Sequence, residues 1–176
     1  MRTQKITISV IGGHKSSKEV EQIAHDIGKI IARVGAILVC GGLDGVMEAA
    51  ARGAKEAGGL TIGLLPWKDK ADANPYIDIA LPTSIGYARN AIVACSADII
   101  VALPGSHGTS CEISYGFVYN RPMIDLGNWN REGMIKVRSA DEAEAKIREL
   151  VQKIQRGSVS SPKSEEGLWI HDEEKD

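Results

Sequence analysis

Asp98-Ile-Ile-Val-Ala-Leu-Pro-Gly-Ser-His-Gly-Thr-Ser-Cys-Glu112 is the stretch of sequence that decides the fold. Its apolar run, Ile99 to Leu103, is typical of a strand buried on both faces of a parallel sheet. Pro104-Gly105 interrupts the run, and Thr109 is in place to cap a helix that continues to about Asn120. Free N–H groups and the positive end of the helix dipole favour an anion at such a strand-to-helix turn.

Strand-like and helix-like segments alternate along the rest of the chain. The predicted strands are residues 6–11, 36–40, 60–65, 77–81, 99–103, 123–126 and 134–137. The side chains expected to cap the intervening helices are Ser16, Asp44, Ser84, Thr109 and Ser139. This alternation predicts an α/β protein with a three-layer Rossmann-like fold, in which a mostly parallel central sheet carries helices on both faces.

The length and the change in composition near the C-terminus predict one domain and a tail. The chain has 176 residues, which is the usual size of a single domain. We therefore expect residues 1–156 to form one Rossmann-like domain. Residues 157–176 are serine-rich and then acidic, which is typical of a tail, with Trp169-Ile170 as its apolar anchor.

The charge and cysteine content exclude several classes of protein. The net charge is −2 and no lysine or arginine cluster stands out, which argues against binding to duplex nucleic acid. No apolar run approaches the length of a membrane span, and the N-terminus does not resemble a signal peptide. The three cysteines are far apart and odd in number, which indicates a cytoplasmic protein with neither a disulfide framework nor a metal site.

Glycine-bearing turns follow three of the predicted strands, namely Gly12-Gly13, Gly41-Gly42 and Gly105 to Gly108. The carboxyl ends of parallel strands meet at one edge of the sheet, so we expect the three turns to form a single ligand site. The first turn also fits a plain tight turn. It lacks the dinucleotide-binding fingerprint, because Ser17 stands at the position of the third glycine.

The polar residues near these turns each allow two interpretations. Glu112 lies three residues after Thr109, so it fits a capping box as well as a functional carboxylate. Arg89 is either a solvated surface arginine or a bidentate ligand of a phosphate group, and Asn90 adds amide donors and acceptors beside it. His14 and His107 occupy turns and are left without a role.

Several short motifs occur in an order that resembles a known family. They are Gly41-Gly-x-x-Gly45-x-Met47, Gly59-x-x-x-Gly63-x-x-Pro66, Arg89-Asn90 and Pro104-Gly-x-x-Gly-Thr-x-x-Glu112. Together they resemble the LOG-like ("lonely guy") Rossmann superfamily, long mislabelled as possible lysine decarboxylases. The form Tyr87-Ala88-Arg89-Asn90 is most similar to the branch that contains molybdenum-cofactor carrier proteins.

The resemblance implies roles for the site residues. LOG enzymes hydrolyse the N-glycosidic bond of nucleoside 5′-monophosphates, and their catalytic arginine and glutamate correspond to Arg89 and Glu112. The phosphate loop corresponds to Gly105, Ser106, His107, Gly108 and Thr109. Homodimers or higher homo-oligomers are usual in the superfamily.

Two departures from the enzyme pattern favour binding over hydrolysis. Ser106 replaces a glycine of the phosphate loop, and Asn90 replaces the lysine that follows the arginine in the enzymes. We therefore expect a binding or carrier protein for a nucleotide-like, phosphate-bearing ligand, either a nucleoside monophosphate or a molybdopterin-type cofactor. The alternative is a nucleoside 5′-monophosphate phosphoribohydrolase, and lysine decarboxylation is not expected.

Overall fold

The protein folds around a seven-stranded, wholly parallel sheet. In this computed structural model, which describes residues 4–157, the strand order is β4-β3-β2-β1-β5-β6-β7. The strands are β1 (Thr7–Ile11), β2 (Ile37–Cys40), β3 (Thr61–Leu65), β4 (Ile79–Pro82), β5 (Ile99–Ala102), β6 (Met123–Asp125) and β7 (Ile135–Lys136). All six strand pairings are parallel. The predicted α/β architecture is confirmed.

Helices cover both faces of this sheet. They are α1 (Lys18–Arg33), α2 (Val46–Glu56), α3 (Asn90–Cys95), α4 (His107–Val118) and α5 (Ala140–Gln155), with short 3₁₀ helices at Lys70–Asp72 and Gly86–Arg89. Helices α1, α2 and α5 share one core cluster with the sheet. Helices α3 and α4 share the cluster on the opposite face. None of the helices within residues 4–157 is long and apolar enough to cross a membrane.

Close packing of α1 on α2 depends on two glycines. A Cβ atom on Gly53 would lie 1.9 Å from the carbonyl oxygen of His25, and one on Gly28 would lie 2.0 Å from that of Ala50. Real Cβ atoms do not approach so closely, so the two helix backbones touch only because these positions carry no side chain. This contact fixes α1 and α2 relative to the turns at their N-termini.

The strand order reverses direction at β1, which lies between β2 and β5. The chain runs outward from β1 through β2 to β4 on one side, and from β5 through β6 to β7 on the other. The turns after β1 and β5 touch, because the Gly13 N–H donates to the Pro104 carbonyl at 3.0 Å. Ligands of open α/β sheets bind in the crevice at such a switch point.

Of the five predicted helix caps, only Ser139 is confirmed. Its side chain accepts a hydrogen bond from the Glu142 N–H at the start of α5. The prediction for Ser16 is wrong by one residue, since Ser17 caps α1 and the Ser16 hydroxyl donates to Glu21. The shift follows from the chain, which offers two adjacent serines at this turn.

The caps predicted for α2, α3 and α4 are wrong because backbone geometry starts these helices. Gly45, with φ of 66°, precedes α2, so Asp44 does not cap it. Ser84 has φ of 59° and lies before the 3₁₀ helix that leads into α3. Helix α4 begins at His107, so Thr109 lies within its first turn.

The strand bounds differ from the predicted ones by at most two residues. The predicted C-terminal tail, residues 157–176, lies outside the described residues apart from Gly157.

Candidate functional site

A cleft of about 410 Å³ lies at the carboxyl edge of the sheet, over the switch point. The turns after β1, β2, β3 and β5 contribute to it, together with the 3₁₀ helix Gly86–Arg89 and the first two turns of α4. Its lining residues are Gly12, Gly13, His14, Leu43, Asp44, Met47, Trp67, Asp72, Tyr87, Arg89, Asn90, Ser106, Gly108, Thr109 and Glu112.

Arg89 lies in this cleft with its side chain only 6% exposed. The Nη2 group donates to the Gly41 carbonyl at 3.3 Å, and Nη1 donates to the Asn90 side-chain oxygen. The Nε group is buried and has no hydrogen-bond acceptor within residues 4–157. A Cβ on Gly41 would lie 2.6 Å from Nη2, so this glycine leaves the space that the guanidinium occupies. Arg89 therefore lines the cleft and retains one unused donor, which is buried behind the cleft surface.

Glu112 faces Arg89 without pairing closely with it. The carboxylate oxygen lies 3.6 Å from Nη1 of Arg89, and the Glu112 side chain is 8% exposed. Burial raises the pKa of Glu112 to about 8, and the charge of Arg89 opposes that rise. Burial likewise lowers the pKa of Arg89. Both shifts show that desolvation outweighs the mutual attraction of the two charges in the ligand-free cleft.

The capping interpretation of Glu112 is wrong. A carboxylate that caps a helix binds backbone N–H groups of the first turn, but Glu112 lies in the second turn of α4 and binds none among the described residues. The helix starts at His107 rather than after Thr109, and this earlier start moves Glu112 away from the helix end. Its side chain lines the cleft instead.

Asn90 connects Arg89 to the start of α4. Its oxygen accepts from Arg89, and its Nδ2 group donates to the Gly108 carbonyl at 3.3 Å. Both functional groups of the amide are therefore engaged by the protein, and the residue is buried. Asn90 therefore links the Arg89 side chain to the N-terminus of α4, and it adds no charge of its own.

The N-terminus of α4 opens into the cleft with free donors. Ser106 occupies the N-cap position without a side-chain hydrogen bond. The N–H groups of His107, Gly108 and Thr109 find no acceptor within residues 4–157. In contrast, the first N–H of α2, at Val46, is bonded to the Gly13 carbonyl at 3.1 Å. With three N–H groups that lack an acceptor, the N-terminus of α4 is the stronger candidate for binding an anion.

The structure brings together most of the predicted site residues. Those that line the cleft are Gly12, Gly13, Arg89, Asn90, Ser106, Gly108, Thr109 and Glu112. Gly41, Gly42 and Gly105 lie behind this lining. A Cβ on Gly105 would meet the Thr109 hydroxyl at 2.2 Å, and Gly42 packs on Gly63. His107 is exposed and is not among the lining residues.

Sequence reasoning missed the far side of the cleft. Trp67 follows Pro66 at the carboxyl end of β3, and ligand sites of parallel sheets form at that edge. Its position in the sequence could therefore have predicted that Trp67 lines the cleft. Asp44 follows β2 at the same sheet edge but was assigned to a helix cap, and Asp72 carried no such signal. Met47 is buried and also lines the cleft. Within residues 4–157, no group of three or more His, Cys, Asp or Glu side chains is placed to share a metal ion.

A second, larger cavity of about 740 Å³ lies beyond β6 and β7. Its buried carboxylate, Asp125, accepts hydrogen bonds from the N–H groups of Gly127, Trp129 and Asn130. These bonds hold the loop after β6 and leave Asp125 with a structural role. The cleft that contains Arg89 is therefore the better candidate site.

Comparison with known proteins agrees with this architecture. Residues 5–155 match the SLOG cluster4 family over most of the chain. The chain belongs to the SLOG cluster4 family. This SLOG protein is 44% identical over 119 residues to a protein of Archaeoglobus fulgidus, covering 68% of the chain and 78% of that relative.

Solved structures of molybdenum cofactor binding and carrier proteins are similar to this SLOG protein. The molybdenum cofactor binding protein of Rippkaea orientalis superposes with a TM-score of 0.79 at 31% identity, covering 85% of this chain and 99% of that one. The molybdenum cofactor carrier protein of Chlamydomonas reinhardtii gives a TM-score of 0.78 at 32% identity, with coverage of 85% and 100%.

A more distant relative of the SLOG chain is an enzyme. The cytokinin riboside 5′-monophosphate phosphoribohydrolase of Mycobacterium tuberculosis is 29% identical over 122 residues, covering 63% of this chain and 64% of the enzyme. The predicted LOG-like relationship and its carrier branch are confirmed. The likenesses support a ligand-binding or LOG-like role and do not name the ligand.

Proposed function

We propose that this protein binds a nucleotide-like ligand through its phosphate, in the cleft that contains Arg89. The observation that carries the proposal is that the buried guanidinium of Arg89, whose Nε group has no acceptor within residues 4–157, lines the same cleft as the open N-terminus of α4. A phosphate held there receives charge-assisted hydrogen bonds from the guanidinium and from the N–H groups of His107, Gly108 and Thr109.

The energetics of the ligand-free cleft favour an incoming anion. A buried donor without a partner costs about 1–3 kcal/mol, and more when it is charged. Glu112 does not relieve this cost, because its raised pKa leaves it mainly protonated at neutral pH. A phosphate dianion beside the guanidinium supplies the negative charge that Glu112 does not.

Binding without chemistry is the first candidate, and the state of Asn90 supports it. Among the lining residues of the described chain, Arg89 is the one lysine or arginine, and Asn90, whose amide is bonded at both ends within the protein, adds no charge. The likeness to molybdenum cofactor carrier proteins adds support.

Hydrolysis of a nucleoside 5′-monophosphate is the second candidate. Arg89 and Glu112, the residues that the resemblance to LOG enzymes makes catalytic, line the same cleft. Water would add to the ribose carbon while the base leaves with a proton, and a protonated Glu112 is a source of that proton. The phosphoribohydrolase relative adds support.

Isothermal titration calorimetry tests binding directly. We expect micromolar binding of AMP, GMP or ribose 5-phosphate by the wild-type protein, and at least an approximately 100-fold loss in Arg89→Ala. Arg33→Ala is the matched control, because Arg33 is an exposed arginine at the far end of α1. Binding that is unchanged in Arg89→Ala, or absent with every phosphate ligand, contradicts the proposal.

Chromatography of the same mixtures separates the two candidates. Free base released by the wild-type protein and lost in Glu112→Gln, but retained in the exposed control Glu132→Gln, would establish the hydrolase. Intact nucleotide after prolonged incubation supports the carrier.

We also propose that the protein is a homodimer or a higher homo-oligomer in the cytoplasm. Helix α4 leaves Tyr115, Phe117 and Val118 exposed near its C-terminus, and neighbouring exposed apolar side chains are typical of a protein–protein interface. Light scattering would measure the mass, and a monomer at micromolar concentration contradicts this assembly.

A further inference from the structure

A groove of about 360 Å³ lies at the amino edge of the sheet, the edge opposite the cleft that contains Arg89. It forms where the C-terminal ends of α4 and α5 meet the residues that precede β6 and β7. Its apolar lining residues are Phe117, Pro122 and Leu150. A cavity of about 150 Å³ holds a benzene ring, so this groove has room for an indole ring and a neighbouring aliphatic side chain.

The apolar part of the groove consists of a buried floor and a partly exposed ring. Leu150, on α5, is 7% exposed and belongs to the core that α5 shares with the sheet. Phe117, on α4, is 38% exposed. A Cβ on Gly133 would lie 3.1 Å from the Phe117 ring, so the ring lies against the backbone that precedes β7. A further apolar side chain can therefore cover Phe117 and Leu150 together.

The charged residues that line the groove are both basic. They are Arg121 and Lys153, and no aspartate or glutamate is among the lining residues within residues 4–157. The other two cavities described above have acidic lining residues, which are Asp44, Asp72 and Glu112 in the cleft and Asp125 and Glu142 beyond β7. An acidic segment with an apolar centre therefore complements this groove better than either of them.

The chain leaves the described residues beside this groove. Lys153 precedes Gly157 by about one helical turn, or about 6 Å along α5. Gly157 has φ of 71°, a backbone conformation that ends a helix, so the chain does not continue along the α5 axis. Residues 158–167 span at most about 35 Å when extended, so the residues that follow them can reach the groove.

The sequence beyond residue 167 has the composition that the groove favours. Leu168-Trp169-Ile170 is the one run of adjacent apolar residues between residues 158 and 176. Acidic residues lie on both sides of it, with Glu165-Glu166 before it and Asp172-Glu173-Glu174 after it. An apolar run between acidic residues matches an apolar floor between basic ones.

We propose that Leu168-Trp169-Ile170 binds in the groove of its own chain, with the indole against Phe117 and the acidic residues near Lys153. Aromatic rings pair favourably in offset or edge-to-face geometry. A short connection to the groove gives the segment an effective concentration in the millimolar range, so the contact forms without a high intrinsic affinity. The inference does not depend on the proposed ligand, because the groove and the cleft lie at opposite edges of the sheet.

Fluorine NMR of the full chain labelled with 5-fluorotryptophan tests this contact. The Trp169 resonance is the one that disappears in Trp169→Phe. In the wild-type protein its shift between H₂O and D₂O should be less than about half that of free 5-fluorotryptophan, because a bound indole is shielded from water. Phe117→Ser and Lys153→Glu should each raise this shift at least about 1.5-fold.

Tyr115→Ser and Lys146→Glu are the matched controls. Tyr115 is an exposed aromatic residue of α4, as Phe117 is, but it does not line the groove. Lys146 and Lys153 both pair with Glu149, at 3.0 and 2.7 Å, and only Lys153 lines the groove. Both control variants should keep the wild-type value of the Trp169 shift.

A mixing experiment separates the chain's own groove from that of a second copy. Labelled Phe117→Ser is mixed with an excess of unlabelled Trp169→Phe, whose groove is intact. Shielding of Trp169 should not return. Its return would assign the segment to a second copy and overturn binding within one chain.

Two other results would overturn the proposal. The first is a wild-type Trp169 resonance with the full solvent shift of the free amino acid. The second is a shielded Trp169 that neither Phe117→Ser nor Lys153→Glu changes, because the segment would then bind elsewhere. Shielding that both groove variants reduce and both controls keep supports the contact.

Discussion

Replacing Glu112 with glutamine should remove a pH-dependent loss of stability from the ligand-free protein. Burial raises the pKa of Glu112 from its ordinary value of 4.5 to about 8, so the folded state holds a proton that the unfolded state releases. The stability of the wild-type protein therefore falls as pH rises from the unfolded pKa to the folded one. Glutamine has the size of the protonated side chain and does not titrate.

The magnitude follows from the difference between the folded and unfolded pKa values of Glu112. A tenfold change in an acid dissociation constant corresponds to about 1.4 kcal/mol, so the Glu112 contribution between about pH 5.5 and pH 8.5 is a loss of about 3 kcal/mol. The wild-type protein and the Glu112→Gln variant share every other titrating group. The difference between their profiles of unfolding free energy against pH therefore isolates the Glu112 carboxyl. We expect the variant to be the more stable protein at the alkaline end.

Urea denaturation followed by circular dichroism at several pH values measures the free energy of unfolding. Glu132→Gln, at an exposed position, should keep the wild-type profile. Parallel profiles for the wild-type protein and Glu112→Gln would refute the reasoning, because they would mean that the buried carboxyl has an ordinary pKa. A steeper fall in the variant would refute it as well.

Three further substitutions probe the packing and the phosphate end. Gly53→Ala should destabilise the protein by about 3 kcal/mol or more in thermal unfolding, because its Cβ would lie 1.9 Å from a carbonyl oxygen of α1. A decrease of less than about 1 kcal/mol in the free energy of unfolding contradicts this packing. Gly105→Ala should weaken ribose 5-phosphate binding at least about tenfold while the fold persists, since its Cβ displaces Thr109; unchanged affinity removes the loop from the site. Asn90→Lys, which restores the charge of the hydrolases, should weaken binding, because the lysine cannot accept from Arg89; tighter binding would contradict the positioning role.

The fold was predictable because its signals are local. The buried strands are continuous apolar runs, and the turns after β1, β2 and β5 carry adjacent or closely spaced glycines. The helix caps were less predictable, since a side chain competes with backbone carbonyls from distant turns. At α2 the Gly13 carbonyl takes the first N–H, which leaves Asp44 free to line the cleft.

The candidate site was predictable on one side only. Arg89, Glu112 and the loop from Gly105 to Thr109 were recognised by motif, and the structure places them around one cleft or directly behind it. Trp67 and Asp72 lie in a polar stretch that reads as a surface loop. Their position depends on Asn74, whose hydrogen bonds reach back to the turn after β2.

The sequence by itself determined a parallel α/β domain with its glycine turns on one sheet edge, because periodicity and turn chemistry act within a few residues. Tertiary structure alone decided the properties of the side chains in the cleft. The charge state of Glu112 and the unused donor of Arg89 depend on burial by segments far apart in the chain. The desolvation of a side chain depends on the residues that pack around it, and those residues come together only when the chain folds.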